Sequence, residues 1–237
     1  MRNVRGTYLQ HIKHNMSFFD ALASKIAPYD CLGCGTEGQL LCLACTSRLV
    51  SVPERCYRCR KLSPEFLTCL VCCESSHLRR VKVATAYAGS AKDLIWKLKL
   101  SGAQAAARIM AHRLAALAES AHPAAIIVPV PTATSRQRQR GYDQAKLLAR
   151  ELARQTRLPY LDCLARSGQA HQHGASRRDR LTQLAAAFRV KRSRAVCGNR
   201  IILVDDVITT GATLETAAAS LLAAGAATIE AAVFAQA

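Results

Sequence analysis

The sequence predicts an α/β protein, a parallel sheet with helices on both faces, preceded by a small cysteine-rich domain. Three features carry this expectation. From residue 81 to the C-terminus, apolar runs of strand length alternate with segments of helical period, the order that builds parallel sheets. Nine of the 11 cysteines fall before residue 74, eight of them in four Cys-x-x-Cys pairs. Residues 201–213 read as an apolar strand, two aspartates, and a threonine- and glycine-containing turn that opens a helix.

Composition narrows the class. At 237 residues, one large domain with a small appendage is expected. Half the residues are hydrophobic, 21% are charged, and there are 12 glycines and 7 prolines, which excludes a disordered, collagen-like or low-complexity chain. Aromatic residues make up only 5%, and alanine is abundant, which suits helices packed closely on a sheet. There is no apolar run of about 18 residues, and the first residues lack the apolar core of a signal peptide. A soluble, cytoplasmic protein without membrane insertion is expected.

The charge is local. Lys and Arg number 33 against 16 Asp and Glu, a formal +17. Residues 1–81 carry 11 basic and 6 acidic side chains, whereas residues 136–194 carry 15 and 4, a net +11. A field concentrated in this way attracts the phosphates of a nucleic acid or of a small polyanion.

The cysteine pairs are Cys31/Cys34, Cys42/Cys45, Cys56/Cys59 and Cys69/Cys72. Disulfides fit poorly without a secretion signal. A thioredoxin-like redox pair fits poorly because four pairs are present and no βαβ pattern surrounds them. Zinc fits, because two residues between cysteines let a tight knuckle aim both thiolates at one ion, and two knuckles complete a tetrahedron. Sequential pairing would give one Zn²⁺ to Cys31, Cys34, Cys42 and Cys45 and a second to Cys56, Cys59, Cys69 and Cys72. Cys73 in place of Cys72, or a crossed pairing, stays open. The expected role is structural, since so small a segment folds on its metal. Cys163 and Cys197 stand alone and read as inert. His11, His14, His171 and His173 read as solvent-facing.

In order, residues 1–27 read as a short amphipathic helix with Phe18, Phe19, Leu22 and Ile26 on its docking face. Residues 28–78 form the cysteine domain and residues 79–237 the sheet domain. Residues 81–87 alternate as a strand. Ser90, with Asp93 three residues on, opens a helix whose apolar stripe is Leu94, Ile95, Leu98 and Leu100. Residues 103–117 make a second, alanine-rich helix, and residues 125–130 a strand covered on both faces. Pro129-Val-Pro131 leads into an Arg-rich loop and a helix from about Tyr142 to Gln155. Residues 167–180 read as a long exposed loop. A strand over 200–204, a helix over 213–224 stopped at Gly225, and a strand over 228–234 complete the chain.

Residues 201–213 carry the chemistry. In open α/β sheets ligands bind at the carboxyl ends of strands, and the free amides of a helix start cradle phosphate. Two acids beside such a cradle suit sugar hydroxyls, directly or with a metal nearby. The stretch is not a Walker P-loop, because no Gly-Lys-Ser/Thr follows.

At these residues the sequence resembles type I phosphoribosyltransferases, marked by a hydrophobic strand, Asp205-Asp206, and a Thr209-Thr210-Gly211 turn. The cysteine knuckles, Ile95-Trp-Lys97-Leu-Lys99-Leu-Ser-Gly102, Val128-Pro-Val-Pro131 and Arg138-Gln-Arg140-Gly141-Tyr142-Asp143-Gln144 narrow this to the ComF, or GntX-like, family of competence-associated proteins. The resemblance runs from about Cys31 to the end and implies a double zinc ribbon followed by a phosphoribosyltransferase domain. It implies that Asp205 and Asp206 hold the ribose hydroxyls of phosphoribosyl pyrophosphate (PRPP), and that Val207, Thr209, Thr210, Gly211, Ala212 and Thr213 line the site, the turn wrapping the 5′-phosphate. The loop after Val128 would approach the pyrophosphate, with Mg²⁺ bridging. Arg136, Arg138 and Arg140 would meet the leaving pyrophosphate or a nucleic acid. The chain departs from the family at Gly141-Tyr-Asp143-Gln144, where Gly-Phe-Asn-Gln is usual, and at Arg180-Leu-Thr-Gln183-Leu, where an Asn is often found.

Two functions from different classes follow. One is PRPP binding with Mg²⁺ and transfer of a 5-phosphoribosyl group, associated with DNA uptake, with residues 167–180 closing as a lid. The other is a non-catalytic factor that binds single-stranded DNA or proteins of the competence machinery through Arg136, Arg138, Arg140, Arg177, Arg178, Arg180, Lys191, Arg192 and Arg194. A PRPP-binding sensor without chemistry is a third.

Overall fold

The computed structural model describes residues 29–100, 103–118, 124–166 and 187–237. The expected N-terminal helix, the 167–180 loop, His11, His14, His171, His173, Arg177, Arg178 and Arg180 lie outside the described residues. The chain divides into two compact units, Met1–Ser47 and Arg48–Ala237.

In the first unit, Cys31 opens a tight turn closed by Cys31 N–H donating to Thr36 O at 2.9 Å and Gly35 N–H to Cys31 O at 2.8 Å. Gly35 takes the left-handed φ of 73° that this turn requires. A short helix, α1 (Leu43–Ser47), carries Cys45.

The second unit opens with the same turn. Cys56 N–H donates to Lys61 O and Arg60 N–H to Cys56 O, both at 2.9 Å. A 3₁₀ turn (Pro64–Phe66) and α2 (Leu70–Cys73) follow. The chain then enters β1 (Val81–Ala86), α3 (Gly89–Leu100), α4 (Ala103–Ala118) and β2 (Ala125–Pro129). Next come α5 (Thr134–Arg140), α6 (Gln144–Thr156), β3 (Leu164–Arg166), β4 (Phe188–Val190) and α7 (Ser193–Val196). Last are β5 (Arg200–Ile208), α8 (Ala212–Ala223) and β6 (Thr228–Gln236).

Four strands form a parallel sheet in the order β1-β6-β5-β2, with Val204 of β5 facing Pro129 on one side and Ala232 on the other. Parallel neighbours need crossovers, and the helices supply them. β5 and β6 are apolar runs because both faces are covered. On one face α8 buries Leu214, Ala217, Ala218 and Leu221 with Val83, Leu203, Ala231 and Val233. Residues one step along the strands, such as Val204 and Ala232, lie outside that cluster and face the other way, where α4 buries Met110 and Leu114 and α6 buries Leu148 and Leu152.

Several expectations change. The Arg-rich loop is the helix α5, which buries none of its residues and so has no apolar stripe. Leu100, expected on the buried face of α3, is 62% exposed, while Leu94, Ile95 and Leu98 are fully buried. β5 runs four residues past Val204, through both aspartates. β3 and β4 form an antiparallel pair that three-residue strands did not announce in the sequence.

Candidate functional site

The carboxyl end of β5 is the centre of the site. Asp206 is buried and Asp205 half-buried. Asp206 N–H donates to Asp205 Oδ1 at 2.8 Å, and Lys99, in the last turn of α3, places its Nζ 2.9 Å from Asp206 Oδ2. Desolvation, and then the Asp206 charge, push the Asp205 carboxyl well above the usual carboxylate range. Past Ile208 the chain turns through exposed Thr209 and Thr210 to buried Gly211, whose φ of 81° is left-handed. α8 begins at once, so the amides of its first turn have no intrahelical acceptor. Thr210 Oγ1 accepts from Ala212 N–H at 3.3 Å, and Ala212 and Thr213 are exposed. Val207, Thr209, Thr210, Gly211, Ala212 and Thr213 thus form one continuous strand end, turn and helix start.

β2, beside β5, releases its loop at the same edge, with Val130 N–H donating to Val204 O at 3.0 Å. That loop is tied down by Asp143, the N-cap of α6. Asp143 Oδ1 accepts from Ala145 N–H at 3.0 Å, Lys146 N–H at 3.3 Å and Thr132 Oγ1 at 3.0 Å. Its Oδ2 accepts from Thr132 N–H at 3.2 Å and Gln137 Nε2 at 2.7 Å. One carboxylate therefore caps a helix and anchors the proline loop and α5. Arg136 and Arg138 are exposed on α5, whereas Arg140 is half-buried and donates to Gln144 Oε1 at 2.9 Å. Tyr142 Oη donates to Leu98 O on α3.

The second knuckle touches the turn after β5. The Tyr57 ring lies against Gly211, where a Cβ would stand 2.8 Å from Tyr57 Cε2. Arg60 Nη2 donates to Thr209 O at 2.9 Å. Tyr57 Oη donates to Glu215 of α8, and Ser76 Oγ donates to the same oxygen at 2.7 Å. On the other Glu215 oxygen, His77 N–H donates at 3.0 Å and His77 Nδ1 lies at 2.8 Å. Burial raises the Glu215 carboxyl, and the His77 amide opposes that.

Both cysteine tetrads fit a tetrahedral ion. Cys31, Cys34, Cys42 and Cys45 form one cluster and Cys56, Cys59, Cys69 and Cys72 the other, with ligand atoms within 4.8 Å of one another. Cys34 and Cys42 sulfurs are 3.8 Å apart and Cys59 and Cys69 sulfurs 3.6 Å, close to the edge of a tetrahedron with zinc–sulfur bonds of about 2.3 Å. Burial opposes ionisation of Cys31, but amides led by that of Cys42 outweigh it and hold the thiol at about 6. Contact with neighbouring cysteines pushes Cys45 and Cys72 up to about 12, so four thiolates together require a cation. Cys73 lies outside the second tetrad, its thiol directed to Leu70 O at 3.0 Å. Cys163 is buried, and desolvation raises its thiol to about 11, the state of an inert side chain.

Lys99, Asp143, Tyr57 and Glu215 were not singled out by role in the sequence. Lys99 stands in a motif quoted for its resemblance alone. The partner of Tyr57 lies more than 150 positions away, and no local pattern signals it.

A parallel sheet with an acidic pair and a left-handed glycine turn at one strand's carboxyl end defines an open α/β domain with a candidate ligand site at its carboxyl edge. Residues 139–237 match the phosphoribosyl transferase domain family. Among curated proteins, the chain is 43% identical over 95 residues to Competence protein F of Haemophilus influenzae, covering 37% of this chain and 40% of that protein. It is 39% identical over 100 residues to Competence protein ComFC of Bacillus subtilis, covering 42% of this chain and 39% of that protein. It is 37% identical over 106 residues to DNA utilization protein YhgH of Escherichia coli O157:H7, covering 44% and 46%. The matched region thus spans less than half the length of these curated relatives. The chain is thus similar to phosphoribosyl transferase domains over residues 139–237, and over less than half its length to proteins named for competence. Among solved structures, the chain is similar to glutamine PRPP amidotransferase from Bacillus subtilis in complex with ADP and GMP, with 23% identity, a TM-score of 0.42, and coverage of 55% of this chain and 26% of that one. Among the described residues no helix is long and apolar enough to cross a membrane.

Proposed function

We propose that this chain binds PRPP with Mg²⁺ at the carboxyl edge of the sheet, as a phosphoribosyltransferase-like protein associated with DNA uptake. The observation that carries the reading is the buried Asp206 carboxylate, held by Lys99 directly ahead of the Gly211 turn. Asp205 and Asp206 offer oxygens to the ribose 2′- and 3′-hydroxyls. The turn from Thr209 to Thr213 offers amides and hydroxyls to the 5′-phosphate. The loop after Pro129, fixed by Asp143, and the exposed Arg136 and Arg138 face the pyrophosphate. The two carboxylates of the Asp pair are oxygen donors of the kind Mg²⁺ takes, and Mg²⁺ held with the ligand would neutralise pyrophosphate charge. In transfer, the ribose C1–oxygen bond breaks with its electron pair leaving on pyrophosphate, and an acceptor's lone pair forms the new bond at C1. The chain contributes fixed positive charge for the leaving group and a fixed orientation for the ribose.

A ligand that binds only the folded state raises the melting temperature with its concentration. PRPP with Mg²⁺ is expected to raise that of the wild type and not that of Asp206→Asn. Equal shifts in both proteins would remove the assignment.

The second reading is binding of single-stranded DNA. It is favoured by the exposure of Arg136 and Arg138 on α5 and of Arg189, Lys191, Arg192 and Arg194 along β4 and α7. The names of the relatives point the same way. Phosphate contacts of this kind compete with salt.

A further inference from the structure

We propose that the second cysteine knuckle is a positioning element for the turn after β5, with Tyr57 as its strut, so that cation loading of Cys56, Cys59, Cys69 and Cys72 sets the affinity of residues 209–213 for a phosphate monoester. The inference rests on the reading of that turn as a phosphate site.

Tyr57 lies between two ligands of one tetrad, so the ion that fixes Cys56 and Cys59 fixes the backbone carrying its ring. The ring then meets the one residue of the turn with a left-handed backbone. Gly211 is required twice over, since a side chain there would be strained at φ 81° and would strike Tyr57 at 2.8 Å. Ring and turn are therefore fitted to each other.

The tether to α8 is also specific. Glu215 stands in the first turn of the helix, where its charge would repel an incoming phosphate. Tyr57 Oη, Ser76 Oγ and the His77 amide and ring draw both of its oxygens toward the segment around the knuckle. The same contacts fix the helix start whose amides face the ligand.

Arg60 supplies the third contact. It occupies φ 64°, the position that Gly35 holds at φ 73° in the first knuckle. A non-glycine residue is strained there, and from this position its guanidinium reaches Thr209 O at 2.9 Å. A glycine would suffice for the knuckle alone; the arginine serves the turn.

The test uses the full chain with ribose 5-phosphate as the probe, zinc content measured throughout, and amide hydrogen exchange read at residues 208–215. Tyr57→Ala is expected to keep its zinc, to speed exchange in that segment, and to weaken ribose 5-phosphate about tenfold, as loss of a positioning contact does. Tyr57→Phe, which retains the ring, is expected to recover most of both. Cys72→Ser, which removes one ligand, should reproduce the faster exchange, and Cys73→Ser should not. A folded, zinc-loaded Tyr57→Ala with unchanged exchange and unchanged affinity overturns the proposal. Wild type that fails to bind ribose 5-phosphate overturns the phosphate reading and the affinity claim together. The exchange data then decide the strut by themselves, with unchanged exchange overturning it as well.

Discussion

Lys99 and Asp206 meet at 2.9 Å across the gap between the end of α3 and the end of β5. Asp206 Oδ2 is buried and lacks hydrogen-bond geometry to any described partner, so the lysine acts on it as a charge. Removing that charge would leave a buried carboxylate uncompensated. Lys99→Met is expected to cost about 2–3 kcal/mol, read as a lower denaturant midpoint at constant slope. An unchanged midpoint would mean that the pair contributes nothing to the fold.

Asp205 leads to the opposite expectation. Its proton is held more tightly in the fold than in the unfolded chain, because burial and the Asp206 charge disfavour the anion. This contribution to stability is complete below the unfolded value of about 3.9 and is lost as pH rises through the raised folded value. Asp205→Asn keeps an oxygen for the Asp206 amide and removes the penalty. Its melting temperature at pH 7 should exceed that of the wild type by a few degrees, with the difference vanishing toward pH 4. A lower melting temperature at pH 7 would contradict the shift.

Asp143 holds the start of α6, the proline loop and α5 through one carboxylate. Asp143→Ala removes a helix cap and strands Thr132 and Gln137, an expected loss of about 2 kcal/mol. Asp143→Asn should cost less, since Oδ1 still caps α6 and accepts from Thr132 Oγ1, and only the contacts of Oδ2 with Thr132 N–H and Gln137 are lost. Denaturant unfolding of both variants checks the order, and an Asn variant as unstable as the Ala variant would refute it.

Metal analysis should find two zinc ions per chain, falling to one in Cys72→Ser and staying at two in Cys73→Ser, because Cys73 lies outside the tetrad. Chelation should unfold the cysteine segments first. A zinc count unaffected by Cys72→Ser would move the ligand to its neighbour.

For the nucleic-acid reading, affinity for a single-stranded oligonucleotide should fall steeply between low and moderate salt. Arg136→Ala with Arg138→Ala should reduce that slope by about 1–2. A flat salt response in the wild type would exclude phosphate contacts.

The sheet domain was legible where one element sufficed to reveal itself. The run Ile201-Ile-Leu-Val read as a covered strand, and Asp205-Asp206 ahead of Thr-Thr-Gly marked its carboxyl half, although the strand runs on to Ile208. The four Cys-x-x-Cys pairs announced two four-cysteine sites through spacing, and the fold supplied the sequential pairing and Cys72 rather than Cys73. What escaped was set by tertiary contact. Thr134–Arg140 is helical without an apolar stripe because Asp143 and Gly141 fix its end. Leu100 shares the last turn of α3 with Leu98 but stands about 200° around the helix from it, on the solvent side. β3 and β4 pair residues 22–26 positions apart through three positions each, too few for a pattern. Tyr57 against Gly211 and Lys99 against Asp206 join segments that only the folded chain brings together.

The central claim is a PRPP site built on Asp205 and Asp206. Calorimetric titration of PRPP with Mg²⁺ into the wild type and into Asp205→Asn/Asp206→Asn tests it most directly. Saturable binding to the wild type, lost in a folded and zinc-loaded double variant, is the predicted result. Equal affinity in both, or no binding to either, would contradict it.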